Sequence, residues 1–321
     1  AALDEDVKRG LKFVPTAEEV HSCFPALTIY ERDKVRIVGA FKQNDNTRLD
    51  VWPVPNAHDS VSQLGSSIHL SVLDGKSGFQ QSKKDEYTVR RTVLITQCGL
   101  YASTGMDFGL KNAMQHFCRC IRKIHQDQPN LIQHVDDLMQ HSPHFEPWFT
   151  SFLDTIRKGD ENNLYFKESK LQICMKNTPA LGQIFSSSGS YKPDPKRFSA
   201  LVDLPNPRSK KQAQALLGLH NYFTGFTPKL QEINEPKRVV IKEAKGQKIT
   251  WTEECTAAQN TLTKYLMDRA VLQFPRCGEV SEEKPFLTFS DASAHACGFA
   301  LIQNTADGHK LISVGSRAWK K

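Results

Sequence analysis

No stretch of this chain approaches the ~20 consecutive apolar residues that a membrane-spanning helix requires, which sets aside an integral helical membrane protein. A cysteine framework is missing as well. The eight cysteines, at positions 23, 98, 118, 120, 174, 255, 277 and 297, include no CxxC pair, so free thiols in a reducing compartment are expected. His116, Cys118, Cys120 and His125 lie close together in sequence. The one-residue gap between the two cysteines is nevertheless unlike a zinc knuckle, and buried or incidental residues are the better reading. The N-terminus, Ala1-Ala2-Leu3-Asp4-Glu5-Asp6, lacks the basic and apolar parts of a signal peptide, so a cytoplasmic or particle-borne protein is expected. Acid is not in excess either. The formal charge is +7, and basic residues cluster at Lys83-Lys84, Arg90-Arg91, Arg119 to Lys123 and Arg208 to Lys211. Most such runs are solvated surface, yet the sign of the excess favours a polyanionic partner.

What the chain does have is a soluble composition, 39% apolar and 24% charged, over 321 residues, too many for one ordinary core. Composition alone gives an α+β protein of more than one domain. Its centre of interest is Gln133-His134-Val135-Asp136-Asp137-Leu138. Apolar pairs, Leu131-Ile132 and Leu138-Met139, flank two adjacent acids, a pattern that suits a β-hairpin with the acids at its turn. Asp is also a common turn residue for local hydrogen-bonding reasons, so the pair alone is weak support for a metal site. Upstream, Ile68, Leu70 and Val72 alternate as a half-buried strand requires and deliver Asp74 at the strand end. A third acid fixed there by a sheet, beside Asp136 and Asp137, would complete a site for two divalent cations.

Elsewhere the pattern is less specific. One helix is expected near the N-terminus, followed by an irregular stretch around Phe24-Pro25. Val35 to Val38 reads as a strand, residues 43–46 as a polar turn, and residues 56–65 as a short helix ending at Gly65. Ala213, Leu216, Leu217, His220 and Phe223-Thr224 follow helical spacing, as do Cys255, Ala258, Leu262 and Leu266, with Thr252 as the cap of the second helix. Phe286 to Phe289 reads as a strand ending near Asp291, with a second strand before the chain stops.

Several of these segments resemble reverse transcriptases of Gypsy-type LTR retrotransposons. Leu73-Asp74-Gly75-Lys76-Ser77-Gly78-Phe79-Gln80-Gln81 is similar to the LDLRSGYHQ-type motif. Gly99-Leu100-Tyr101 and Gly105 to Ala113 resemble GLYEF…MPFGLKNAP, and His134-Val135-Asp136-Asp137 the Y-x-D-D box. Leu164 to Lys170 with Leu181-Gly182 resembles LYLKPEKC…FLGH, and Lys192 to Lys196 RPDPEK. Trp251 to Cys255 and Phe289 to Ser293 resemble WTEEC and TDAS. Each motif is loose alone; seven in order, from about Val35 onward, are specific.

The resemblance implies a right-hand polymerase of fingers, palm and thumb, followed by a partial RNase H-like segment. Fingers and palm are expected over 1–190, thumb and connection over 191–280, and the start of the RNase H-like part over 281–321. It implies an RNA-directed DNA polymerase working on an RNA/DNA template-primer hybrid and dNTPs, with two Mg²⁺ ions or Mn²⁺ in their place. A homo- or heterodimer is compatible with it. Asp74 and Asp136 are the implied metal ligands, with Asp137 in support and a contribution from the carbonyl of Gly75. Lys170 is the implied general acid. Arg36 would grip the triphosphate, Phe79 would exclude a ribose 2′-hydroxyl, and Phe108 and Gly109 would line the nucleotide pocket. His134, Leu181 and Gly182 fall at primer-binding positions, and Asp291 at the first acid of an incomplete RNase H site.

The chain departs from the motifs where His134 replaces Tyr, Asp107 and Met114 replace prolines, and Ala40-Phe41-Lys42 replaces Asp-Tyr-Arg. Asp107 is expected to add negative charge near the other acids and so to disturb the site. An inert nucleic-acid-binding subunit and an unrelated Mg²⁺-dependent phosphodiesterase are the competing readings. The survival of all three acids favours the polymerase.

Overall fold

The computed structural model describes residues 2–31, 34–53, 57–202, 204–294 and 296–319. The chain divides into two compact units. One comprises Ala1–Ser60, Ser71–His141 and Phe145–Ile173, the other Val61–Leu70, Ser142–His144 and Cys174–Lys321.

The first unit carries two sheets. In one, the strands run in the order Lys34–Gly39, Cys23–Glu31, Val93–Thr96, Gly99–Tyr101. The segment around Phe24-Pro25, expected to be irregular, is therefore the start of a nine-residue strand. Pro25 stands at the end of the ladder with the 34–39 strand, where its carbonyl still accepts from the Ala40 amide at 2.9 Å, and it pairs with Ile95 on the other side. The missing N–H therefore falls at a ladder end, where its cost is smallest. The other sheet sets His69–Asp74 beside Asp137–Ser142, which pairs in turn with Leu131–His134. The expected hairpin is present, with His134 opposite Asp137 and only Val135 and Asp136 in its loop. Val135 has φ 56°, and no positive φ occurs at Asp136, the pattern of a type II′ turn. A β-branched residue in that region is strained, so the surrounding structure must hold it there.

Two helices pack against this second sheet. Ala113–Ile124 buries Ala113, Phe117, Cys118 and Ile121, one stripe at helical spacing. Phe145–Glu161 buries Trp148, Phe152, Thr155 and Gly159 in the same manner. Their apolar stripes meet Leu73, Leu131 and Leu138 in one core, so the strand bearing Asp74 and the hairpin bearing Asp136 and Asp137 share a rigid base. The short helix expected over 56–65 is found at Ala57–Ser62.

In the second unit, Asn177–Ala180, Gln183–Ser186, Ser190–Pro193 and Leu272–Gln273 form an antiparallel sheet. Phe185, Tyr191 and Phe274 gather on it with ring centroids 6.0–6.2 Å apart. The sequence suggested two helices here; among the described residues the structure has five: Pro195–Val202, Lys210–Asn221, Leu230–Ile233, Glu235–Glu243 and Glu253–Asp268. Periodicity misses the short ones because one or two turns leave too few residues to repeat. Ser209 and Thr252 cap the two longer helices by accepting from the amides of Gln212 and Cys255. The last part is an antiparallel meander of Phe286–Ala292, Ala296–Thr305 and Gly308–Ala318, one strand more than expected.

Candidate active site

Asp74 ends its strand where the chain turns, and the next amide, of Gly75, donates to the carbonyl of Asp136 at 3.0 Å. That bond ties the strand end directly to the hairpin loop. A second clamp comes from the segment before Lys170. The Lys167 amide donates to Asp74 O at 2.8 Å and the Lys76 amide to Tyr165 O at 2.9 Å. Gln81 closes the same junction, its side chain donating to the carbonyl of Lys76 and accepting from the amide of Tyr165. Close packing beneath the loop demands Gly78, since a Cβ there would lie 2.9 Å from the buried ring of Phe117. The backbone thus fixes all three acids, and Lys170 with them.

Their charges interact. The carboxyl of Asp137 is pushed up to about 6, first by burial and then by the charges of Asp136 and Asp74, against the opposing effect of Lys170. Burial likewise raises the thiol of Cys118, with Asp136 adding to it. Lys170 Nζ donates to Asp74 Oδ2 at 2.5 Å. Among the described residues no group of three or more His, Cys, Asp or Glu side chains is already drawn together as a metal cage. The donor set nevertheless fits a hard divalent cation, being all oxygen and crowded enough for one acid to resist ionisation. Asp74 is engaged by an ammonium group that a cation would have to share or displace.

Near the acids lies an aromatic cluster. The ring of Phe79 sits 5.5 Å from those of Phe108 and Phe117. Arg36 places its guanidinium 5.7 Å from the centroid of Phe108. Gly39 N donates to Phe108 O at 2.9 Å, which sews the 108–109 segment to the Lys34–Gly39 strand. Gly109 has φ 102°, and a Cβ on it would lie 2.3 Å from Gly39 O, so no other residue fits without displacing that strand. Arg36, Gly75, Phe79, Phe108 and Gly109, which the motif resemblance implied, all fall in this first unit with the acids. His134 stands on the hairpin strand with its Nδ1 buried and no partner for it among the described residues.

Leu181 and Gly182 lie in the second unit as the two-residue loop between Asn177–Ala180 and Gln183–Ser186. Both have positive φ, at 54° and 74°, as a type I′ turn requires. The hydroxyl of Tyr222 donates to Gly182 O at 3.0 Å and would meet any Cβ placed there at 2.3 Å. Asp291 is exposed on the first strand of the meander.

One expectation is overturned. Asp107 does not add free charge to the acid site: Lys12 and Lys84 grip it at 2.8 and 2.6 Å, and all three side chains are 4–5% exposed. Asp74, Asp136 and Lys170 are the charges that act on Asp137. Lys84, assigned from sequence to a solvated basic cluster, is buried. Sequence reasoning also passed over Gln81 and Phe117. The place of Gln81 in the first motif could have marked it, whereas no sequence signal separates Phe117 from an ordinary helix core.

A hairpin acid pair set against a strand-end acid, on an antiparallel sheet backed by two helices, defines a palm of the polymerase class. Residues 25–193 match the family described as reverse transcriptase (RNA-dependent DNA polymerase). Residues 251–321 match the RNase H-like domain found in reverse transcriptase. The chain belongs to the reverse transcriptase family. It is 30% identical over 283 residues to a retrovirus-related Pol polyprotein from transposon 297 of Drosophila melanogaster, covering 87% of this chain and 26% of that protein. To the corresponding polyprotein of transposon 412 it is 28% identical, covering 91% and 23%. A Tf2-3 transposon polyprotein of Schizosaccharomyces pombe shares 22% identity, covering 98% and 23%. The chain thus spans about a quarter of these relatives. A foamy viral protease-reverse transcriptase in complex with double-stranded DNA superposes with a TM-score of 0.86 at 19% identity, covering 99% of this chain and 55% of that one. The same viral protein with an RNA/DNA hybrid gives 0.83 at 19% identity, covering 99% and 42%. The fold is that of a right-hand polymerase with an RNase H-like segment. No helix among the described residues is long and apolar enough to cross a membrane.

Proposed function

We propose that this chain is an RNA-directed DNA polymerase, extending a DNA primer on an RNA or DNA template. The observation that carries the reading is the convergence of Asp74 with Asp136 and Asp137, tied by the Gly75 amide and felt as mutual repulsion at Asp137. In the proposed reaction the primer 3′-hydroxyl loses its proton and its oxygen bonds to the α-phosphorus of a dNTP. The bond to the β-phosphate oxygen breaks and pyrophosphate leaves. When bound, two Mg²⁺ ions, or Mn²⁺ in their place, would be held by Asp74, Asp136, Asp137 and the Gly75 carbonyl and would neutralise charge on the reacting phosphate. Family members generally use divalent metals.

The protein's own groups do the rest. Lys170, 48% exposed and in hydrogen-bond contact with Asp74, is placed to give a proton to the departing pyrophosphate. Arg36 meets the triphosphate, and Phe108 and Gly109 wall the base and sugar. Phe79 occupies the space a ribose 2′-hydroxyl would need, so deoxynucleotides are selected by exclusion. His134, Leu181 and Gly182 contact the primer, and Asp291 belongs to an RNase H site that further acids must complete. Fingers and palm occupy 1–190, thumb and connection 191–280, and the RNase H-like part begins at 281. The basic excess suits phosphate contacts without sequence preference, so hybrid binding should weaken steeply with salt.

Primer extension on poly(rA)/oligo(dT) with Mg²⁺ tests the reading. The wild-type chain should incorporate dTTP, and Asp136→Asn should lower incorporation by about two orders of magnitude or more while hybrid affinity holds. Tight hybrid binding without incorporation by the wild-type chain would refute it.

A further inference from the structure

We infer that Asp107 is a positioning residue of the nucleotide pocket: held between the ammonium groups of Lys12 and Lys84, it fixes the backbone that presents Phe108 and Gly109. The inference rests on the polymerase reading and deepens it. Three pieces of chain meet at this point. The Phe13 amide donates to Ala102 O at 2.8 Å, the Lys84 amide to Thr104 O at 2.7 Å and the Met106 amide to Ser82 O at 2.9 Å. The segment 102–106 is therefore bridged to Phe13 on one side and to residues 82–84 on the other. There is no slack in it, for a Cβ on Gly105 would lie 2.1 Å from the carbonyl oxygen of Gln80.

Asp107 directly follows that segment and Phe108 is the next residue, the first of the proposed pocket wall. Its carboxylate accepts from Lys12 with one oxygen and from Lys84 with the other, so the side chain cannot turn without breaking an ion pair. Lys84 is anchored in its turn by donating to Thr92 Oγ1 at 2.8 Å. Beyond the carboxylate, Phe108 is held at its carbonyl by Gly39, and Gly109 O accepts from Asn44 Nδ2 at 2.7 Å. A rotation of the 107–108 backbone would swing the Phe108 ring away from both Phe79 and Arg36. Removing the carboxylate charge would leave two buried ammonium groups unpaired 95 and 23 residues away in sequence. Breaking a buried pair from one side is far more disruptive than replacing it whole, because the orphaned charges must find water or other partners. The nearest relief is to pull the two flanking segments off the 102–106 segment, which moves the pocket wall.

The pocket should therefore report the loss before the acids do. Single-nucleotide incorporation on poly(rA)/oligo(dT) is to be measured with dTTP and with UTP for wild type, Asp107→Asn, Asp107→Glu and Lys12→Met, together with hybrid affinity. Asp107→Asn should raise the KM for dTTP about tenfold or more. Its kcat and hybrid affinity should stay near wild type, and its preference for dTTP over UTP should fall. Asp107→Glu, which keeps the charge, should recover part of the KM. Lys12→Met leaves Asp107 paired with Lys84 and should show a smaller rise, so it carries the test if Asp107→Asn does not fold. An unchanged KM in folded Asp107→Asn or Lys12→Met, or an equal loss in KM, kcat and hybrid affinity, would overturn this inference alone. Failure of the wild-type chain to incorporate dTTP would overturn the polymerase reading and this inference with it.

Discussion

Lys237 offers a quantitative check on the second unit. It lies on the Glu235–Glu243 helix, its side chain is buried at 1% exposure, and the partner nearest its ammonium is Asn234 Oδ1 at 3.3 Å. The same Asn234 oxygen also accepts from Nδ1 of His220 at 2.8 Å. Among the described residues Lys237 makes no ion pair with a carboxylate. Burial pushes its amine down from 10.5 to about 8. At about 1.36 kcal/mol per pH unit, that displacement corresponds to about 3 kcal/mol lost to holding the charged form at neutral pH. The sign follows from proton binding: between pH 8 and 10.5 the unfolded chain holds more protons than the folded one, so stability rises with pH across that window. Below pH 8 the full loss is present. Lys237→Met removes the charge, keeps the length and gives up a weak hydrogen bond, so a net stabilisation of about 1–3 kcal/mol at pH 7 is expected. The assay is denaturation of both proteins at pH 7 and pH 10, with hydrogen exchange of the 235–243 amides reading local opening, since a chain of two units need not unfold in one step. Other groups titrating in that range are common to both proteins and cancel in the difference. The variant's advantage should shrink markedly at pH 10. A variant less stable at pH 7, with a difference that does not change with pH, would refute the reasoning.

The remaining predictions concern the proposed chemistry. Phe79→Ala removes the ring that packs 5.5 Å from Phe108 and Phe117, and the dTTP-over-UTP preference should fall by about 10–200-fold, read from single-nucleotide incorporation. An unchanged preference in a folded variant would count against the exclusion role. Lys170→Met should lower kcat by about a hundredfold or more with little change in the KM for dTTP. Thermal stability should hardly move, because a Lys that is 48% exposed contributes about 0–1 kcal/mol through its ion pair. A rise in KM without a fall in kcat would reassign Lys170 to substrate binding.

The hairpin was legible because two short apolar runs bracket a two-residue loop, features that depend on neighbours within a few residues. The strand ending on Asp74 was found where expected. It is buried on both faces through Leu70, Ser71, Val72 and Leu73, with Ile68 exposed outside it, and is not the half-buried alternation read from sequence. Arg36, Phe79 and Phe108 were legible only through the motif resemblance, since any of them read alone is surface or core. Pro25 misled the strand reading because the cost of a proline depends on whether its missing N–H faces a partner, and sequence does not say which side is paired. Lys84 misled in the opposite way. Next to Lys83 it looks like half of a solvated pair, whereas its carboxylate lies 23 residues on, with a second lysine 95 residues before that acid. Burial of a charge is decided by partners that only the fold brings near.

Asp107 and Asp137 together show how the first unit distributes its charge. Both are shielded acids, but Asp107 is met by two ammonium groups while Asp137 faces two further carboxylates and one more distant lysine. Among the described residues neither Asp136 nor Asp137 makes an ion pair, and Asp74 has only Lys170. Positive partners are thus concentrated at Asp107. Asp136 follows the strained Val135 turn and its carbonyl is bound by the Gly75 amide, so the backbone keeps the strand end and the hairpin loop together. Lys170 offsets the repulsion among the carboxylates only in part, and the remainder supports the proposed cation at that spot. The case for cation-assisted phosphate chemistry in this chain therefore stands on charge and backbone geometry as well as on the motif.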